Sequence, residues 1–207
     1  MGEIANDDIL TLKLQIGRAQ LATALDLFIC DKDPISVHCL ACGGAEVLEI
    51  VAKHREIQSF SDDILYAHSH LSPRALKAAR NKVWNGLKHA TKHNGDLRFD
   101  DVALLSAFKD PSNDPILFSG WYDYGSITGK LPIEAQIFQV WWLAINEDQL
   151  EPSADAAFIL ETFPMVKDEE RALQKRRLRA AIKEHLNNPA LLNHPKTEQK
   201  LHLGVSH

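Results

Sequence analysis

Three times in this chain an oxygen-bearing side chain stands directly before a proline that opens a stretch of helical spacing: Asp33-Pro34, Ser72-Pro73 and Asp114-Pro115. An Asp or Ser at the N-cap accepts a bond from the unpaired N–H groups of the first turn, and proline suits the first helical position because no N–H is needed there. These marks fix helix starts, and the apolar residues that follow them recur at the helical period rather than every second residue. Val37, Leu40, Ala41, Gly44, Val47, Leu48 and Val51 make one broad apolar face, and Phe138, Trp141, Trp142 and Ile145 make an i, i+3, i+4, i+7 stripe. Leu10, Leu12, Leu14 and Ile16 alternate as a strand would, but Leu14, Leu21, Leu25 and Phe28 continue at helical spacing and predict a helix over 8–29.

Read in this way, helices are expected over 8–29, 34–54, 73–93, 99–108, 114–127, from after Pro132 to 145, 153–162 and 168–186. Asn94-Gly95, Asp110-Pro111 and Pro164 act as stops, and the Gly129-Lys130-Leu131-Pro132 stretch is a turn. The expected fold is therefore all-α: a single-domain helical bundle of about seven to eight helices over 1–187, with 188–207 as a C-terminal tail. Gly43 and Gly44 fall inside a helix, where each costs about 1 kcal/mol relative to alanine. A second helix in close approach would offset that cost, so a tightly packed neighbour is predicted there.

With 207 residues the chain can bury a core without disulfide or metal staples. Its net charge of −5 gives no global attraction to nucleic acid or to an anionic membrane, so a nucleic-acid surface would have to be a local patch. The opening MGEIANDD lacks the basic and apolar blocks of a signal peptide, and Asn6 stands where a myristoylation motif needs Ser or Thr. No uninterrupted apolar run approaches membrane-spanning length, and three cysteines make no disulfide framework. A cytoplasmic location, reduced thiols and no membrane partner are the expectation.

The segment NKVWNGLKHATKHNGD, residues 81–96, sets Asn85, His89 and His93 four residues apart. On a helix running to 93 they lie along one flank of the stripe Leu76, Ala79, Val83, Leu87 and Ala90, with Gly86 beside them leaving space for a ligand. His89 and His93 at i and i+4 can chelate a divalent transition metal, with a third ligand from His68, His70, Asp96, Asp100 or Asp101. Ala90 stands where a zincin carries Glu, and a flank of solvated histidines explains the row without metal. His38, Cys42, Glu46 and Glu49 share another helical side. The Cys39-x-x-Cys42 spacing there has no preceding strand and reads as small, buried, inert cysteines; zinc on His38, Cys39 and Cys42 would need three ligands that diverge on one rigid helix. The run Lys175-Arg176-Arg177, with Arg171, Arg179 and Lys183, follows Asp168-Glu169-Glu170, an order that suits the helix dipole and predicts a solvated helix. Trp141, Trp121 and Tyr124 are expected in the core.

Two stretches carry a resemblance. Residues 19–54, AQLATALDLFICDKDPISVHCLACGGAEVLEIVAKH, resemble the opening helix pair of a group of uncharacterised bacterial helical proteins, which similarly show Gln-Leu, Leu-Phe and Asp-Pro with a His four residues after the proline. Asn85-Gly86-Leu87-Lys88-His89-Ala90 is similar to that group's Asn-x-x-Lys-His-Ala segment, and Phe138 and Trp141 fit the tail of its pattern. The resemblance covers residues 16–145 and implies a helical fold. More distantly, the helix pair is similar to the first half of HEPN domains, all-α modules that include ribonucleases working with an Arg and a His four to six residues apart, usually across a dimer interface. Here Arg80-Asn81 and His89 are further apart, and nine steps along one straight helix, about 900°, set Arg80 and His89 on opposite sides. No complete catalytic set appears, so the expectation is a binding or interaction module, HEPN-like in its helix hairpin and homodimeric through a helix face, with the flank Asn85, Lys88 and His89 as its working surface and RNA or another protein as its partner. The alternatives are a metal-independent ribonuclease with His89 as general base and Asn85 orienting the substrate beside Lys88, and a metal site on His89 and His93 near His68 and His70.

Overall fold

The computed structural model of the chain describes residues 6–92, 94–99 and 101–203. It is all-α, with 71% of residues helical. The chain divides into two compact units, residues 1–128 and 129–207.

The first unit holds α1 (Asn6–Ile29), α2 (Pro34–His54), α3 (Phe60–Ala67), α4 (Pro73–Arg80), α5 (Lys82–Lys88), α6 (Asp101–Ser106) and α7 (Asp114–Thr128). Asp33 caps α2 as expected, its carboxylate accepting from the Ser36 N–H at 2.8 Å. The hairpin of α1 and α2 closes through Asp31 in the left-handed region, φ 51°, a conformation that Asp tolerates better than most residues. The predicted close neighbour of the α2 glycines is present. A Cβ on Gly44 would lie 2.8 Å from the Gly17 carbonyl oxygen of α1, and one on Gly120 of α7 would lie 2.7 Å from Leu21. Leu21, Leu25, Phe28, Val37, Leu48, Leu117 and Trp121 fill the core between these three helices. The α2 helix is apolar because it is covered from two sides. By length and composition alone α2 is long and apolar enough to cross a membrane.

Gly44→Ala gives a prediction whose sign separates propensity from packing. Helix propensity alone would stabilise the variant by about 1 kcal/mol. The methyl group instead meets backbone that cannot swing away, and overpacking of this kind costs about 1–3 kcal/mol. A net loss is expected, read as a lower urea midpoint.

In this unit three expectations change. A helix stands where none was predicted: Ser59 and Asp62 form a reciprocal capping box that opens α3. The helix expected over 73–93 is two helices, broken at Asn81, and α5 ends at Lys88. Beyond it Thr91 bridges Leu97 in a short antiparallel turn closed by Gly95 at φ 88°. The helix expected over 99–108 shortens to α6.

The second unit holds α8 (Ile133–Ile145), α9 (Ala154–Thr162), α10 (Arg171–His185) and α11 (Pro189–Leu192), and a two-residue parallel pairing of β1 (Leu131–Pro132) with β2 (Thr197–Glu198). Residues 188–203, expected as a tail, therefore carry a short helix capped by Asn188 and a strand. Trp141 is fully buried and its indole N–H donates to the Gln174 carbonyl at 3.0 Å. The basic run of α10 is not simply solvated. Lys175 is buried, the Arg171 guanidinium lies 5.1 Å over the Trp141 ring, and Arg177 pairs with Glu169 at 2.8 Å.

Candidate functional site

Helices α2, α3 and α4 border a cleft of about 430 Å³. Its polar floor forms where Arg80, the last residue of α4, meets α2 and α3. The guanidinium donates to Glu49 Oε2 at 2.6 Å, to the Ser61 hydroxyl at 3.0 Å and to the Asn81 side-chain oxygen at 3.3 Å. Both partners of the ion pair are largely buried, with side-chain exposures of 15% for Arg80 and 27% for Glu49. Burial pushes the Glu49 carboxyl up, but the Arg80 hydrogen bond and charge outweigh it and hold it below its ordinary value. Lys53 and Lys77 stand at the rim, and Ile50, Leu65, Pro73 and Leu76 supply an apolar wall.

Behind the floor lies Asp123 of α7, 3% exposed, whose Oδ1 accepts from the Phe60 N–H at 2.7 Å. Burial is the main reason that its carboxyl is pushed up to about 7. The backbone bond and Arg80 oppose the rise, and the charges of Glu49 and Asp62 add to it. Next to it Tyr122 donates to Asp63 at 2.6 Å, and that bond together with burial pushes the phenol up to about 12. Gln58 also donates to Asp63. The first turn of α3 is thus tied to α7 and α4 by its own polar groups.

A pH dependence follows from Asp123. A carboxyl near 7 when folded and near 3.8 when unfolded binds more protons in the native state between those values. The stability it contributes is fully present below the unfolded value and is lost as pH rises through about 7. Asp123 should therefore lower the unfolding free energy from pH 5 to pH 8, against a rise toward pH 6.5 contributed by His38, whose pKa burial depresses, and the Asp123-dependent part should vanish in Asp123→Asn. Urea titrations at several pH values check this.

The histidine row is placed differently from its helical expectation. Asn85 is half-buried on α5, Lys88 sits 5.5 Å over the Trp84 ring, and His89 is the exposed C-cap of α5 with extended backbone, φ −124° and ψ 117°. His93 lies outside the described residues, and α5 ends before the i, i+4 geometry can carry past His89. His68 and His70 are exposed after α3, their rings 5.9 Å apart. The space expected beside Gly86 is filled by α6: a Cβ there would lie 3.2 Å from Asp101 and 3.3 Å from Leu104. Asp101 itself is buried and bound by Arg98 through two hydrogen bonds of 2.6 and 3.0 Å. Among the described residues no three His, Cys, Asp or Glu side chains gather into a set that could hold a metal ion. The opposite-sides argument for Arg80 and His89 also lapses, because it presupposed one straight helix and the break at Asn81 falls between them.

The face of His38, Cys42, Glu46 and Glu49 runs from the core into the cleft. His38 is 2% exposed and 3.0 Å from the Asn113 side-chain oxygen. The Asn113 amide nitrogen donates to the Pro34 carbonyl at 3.1 Å, so its oxygen is the acceptor and the His38 hydrogen is on Nδ1. The buried His38 Nε2 has no hydrogen-bond partner among the described residues, and burial pulls the imidazole's pKa down against the Asn113 bond, which raises it. Burial also pushes the Cys42 thiol up to about 12 and raises Cys39, which, unlike the buried residue expected, is only half-buried. At pH 8 a thiol reagent should label the exposed Cys30 and leave Cys42 unmodified until the protein unfolds, as peptide mass mapping would report.

The sequence names Glu49 and Arg80 separately and does not join them, since their pairing depends on how α4 lies against α2. Asp123 went unnoticed, although an Asp inside Trp121-Tyr122-Asp123-Tyr124 is a carboxylate on a helix whose other residues are mostly apolar. No known family model, curated protein or solved structure matches the chain.

Proposed function

We propose that the chain is a binding module, HEPN-like in its α1–α2 hairpin, whose ligand seat is the cleft of α2, α3 and α4. The observation that carries this reading is the cleft itself: a concave site with one apolar wall, a polar floor organised by Arg80 and Glu49, and cations at its rim. Binding is favoured over catalysis because the floor groups are committed to one another. Glu49 is engaged by the Arg80 guanidinium and the Ser61 hydroxyl, which hold its pKa down, so its carboxylate is not poised as a general base. The working surface thereby moves from Asn85, Lys88 and His89 to the neighbouring helices.

Ligand-observed NMR with a fragment library tests this. Hits are expected to lose binding in Leu76→Trp, which fills the cleft from its apolar wall, and to keep it in His89→Ala. Hits that behave in the opposite way would put the working surface back at the end of α5.

The ribonuclease reading retains one observation in its favour, the break at Asn81 that frees Arg80 and His89 from opposite faces of a straight helix. Its test is cleavage of a single-stranded RNA by the natural sequence and loss of that cleavage in His89→Ala with the fold intact.

A further inference from the structure

The hydrogen-bonding groups of the cleft are unequally spent. Its two carboxylates are already met from within: Glu49 by Arg80, and Asp62 by the Ser59 hydroxyl at 2.7 Å and the Ser59 N–H at 2.9 Å. Its donors are not. A guanidinium has five N–H donors, and three of those on Arg80 are used, by Glu49, Ser61 and Asn81. Lys53 and Lys77, both exposed at the rim, make no side-chain hydrogen bond or ion pair among the described residues. The charge of Lys77 acts on Glu49 and that of Lys53 on Asp62, so both lysines lie close enough to influence the cleft's own carboxylates. A cavity with surplus donors, surplus positive charge and an apolar wall calls for a ligand with an acceptor-rich head and an apolar body.

We propose that the cleft binds the anionic head of a small organic molecule, a carboxylate or a phosphate monoester, between Lys53, Lys77 and the unspent N–H groups of Arg80. The apolar body of the ligand lies on Leu65 and Leu76. The Arg80–Glu49 pair acts as a fixed floor: Glu49 holds the guanidinium in place, so its free edge is ordered before a ligand arrives. This inference deepens the binding reading given above and rests on it.

The test uses the full chain, labelled with nitrogen-15, and four probes that share an aromatic ring and differ in the head: phenyl phosphate, benzoate, benzyl alcohol and benzylamine. Saturable shifts of amides in α2, α3 and α4 are expected with phenyl phosphate, benzoate or both, and the comparison of those two identifies the preferred head. The neutral and cationic probes should bind at least about tenfold more weakly, as loss of a charge-assisted hydrogen bond implies. Lys53→Gln/Lys77→Gln, which changes two exposed side chains, should weaken the anion by about tenfold or more, with shift changes in its absence confined to amides near the two substitutions. Benzyl alcohol or benzylamine binding in the cleft as tightly as the anions would overturn the anionic class while leaving the cleft a binding site. Anion binding that is unchanged in the double variant would overturn the assigned lysines. If none of the four probes moves a cleft amide, the anionic class falls, and a fragment screen that also leaves the cleft empty removes the binding reading beneath it.

Discussion

Trp141→Ala should destabilise the second unit by about 3–5 kcal/mol, the range for truncating a large aromatic side chain in a closed core. Trp141 is fully buried, its ring lies 5.7 Å from that of Phe138, and it is roofed by the Arg171 guanidinium. Its removal does three things at once. It opens a cavity between α8 and α10, leaves the Gln174 carbonyl without its indole donor, and takes away the surface over which Arg171 rests. Trp141→Phe keeps most of the volume and loses the N–H, so it should cost clearly less than alanine and more than a volume-conserving swap alone. Because the chain has two compact units, one global unfolding curve can blend two transitions. Amide hydrogen exchange resolved by residue is the suitable readout, with the largest loss of protection expected in α8 and α10.

Arg80→Ala is the second large effect, expected to cost about 2–3 kcal/mol. Removing one member of a fully buried ion pair costs about 3–5 kcal/mol because the other charge is stranded, and the partial exposure of this pair reduces the figure. Glu49 would lose the partner that holds its pKa down, and Asp123 would lose a cation that opposes its raised pKa. Two signatures distinguish this from simple loss of packing. Glu49→Gln in the Arg80→Ala background should recover part of the loss, since no unpaired charge remains. Glu49→Gln alone should flatten the acid limb of stability: a carboxyl held low when folded stabilises above its unfolded pKa, and that contribution is lost as pH falls through the folded one. Urea titration of the single and double variants at pH 4 and pH 7 checks both. A cost under about 0.5 kcal/mol for Arg80→Ala would class the pair with ordinary surface ion pairs.

Much of the helical framework was legible because it is written locally. Asp33-Pro34 and Ser72-Pro73 specify caps that the structure forms, and Gly44 announces a close neighbour that proves to be the Gly17 turn of α1. The same local signal was present and passed over at Ser59-x-x-Asp62, where only one turn of apolar spacing follows the cap and so drew less notice than a longer stripe would. The break at Asn81 was not legible. The apolar stripe from Leu76 to Ala90 keeps helical phase across it, and neither a proline nor a glycine marks the position. The row Asn85, His89 and His93 was placed on one helix running to 93, whereas α5 ends at Lys88. The cleft lies beyond local reading for a different reason: Glu49, Ser61, Arg80 and Asp123 come from four helices, and their meeting is a fact of packing.

Crystallographic fragment soaking tests the central claim most directly, because it reports location without assuming a ligand. The account predicts that small molecules with carboxylate or phosphate heads appear in the cleft of α2, α3 and α4, with the head within hydrogen-bond distance of Arg80, Lys53 or Lys77. Density for such molecules elsewhere, at the exposed end of α5 beside His89 for instance, with the cleft left to solvent, would contradict it.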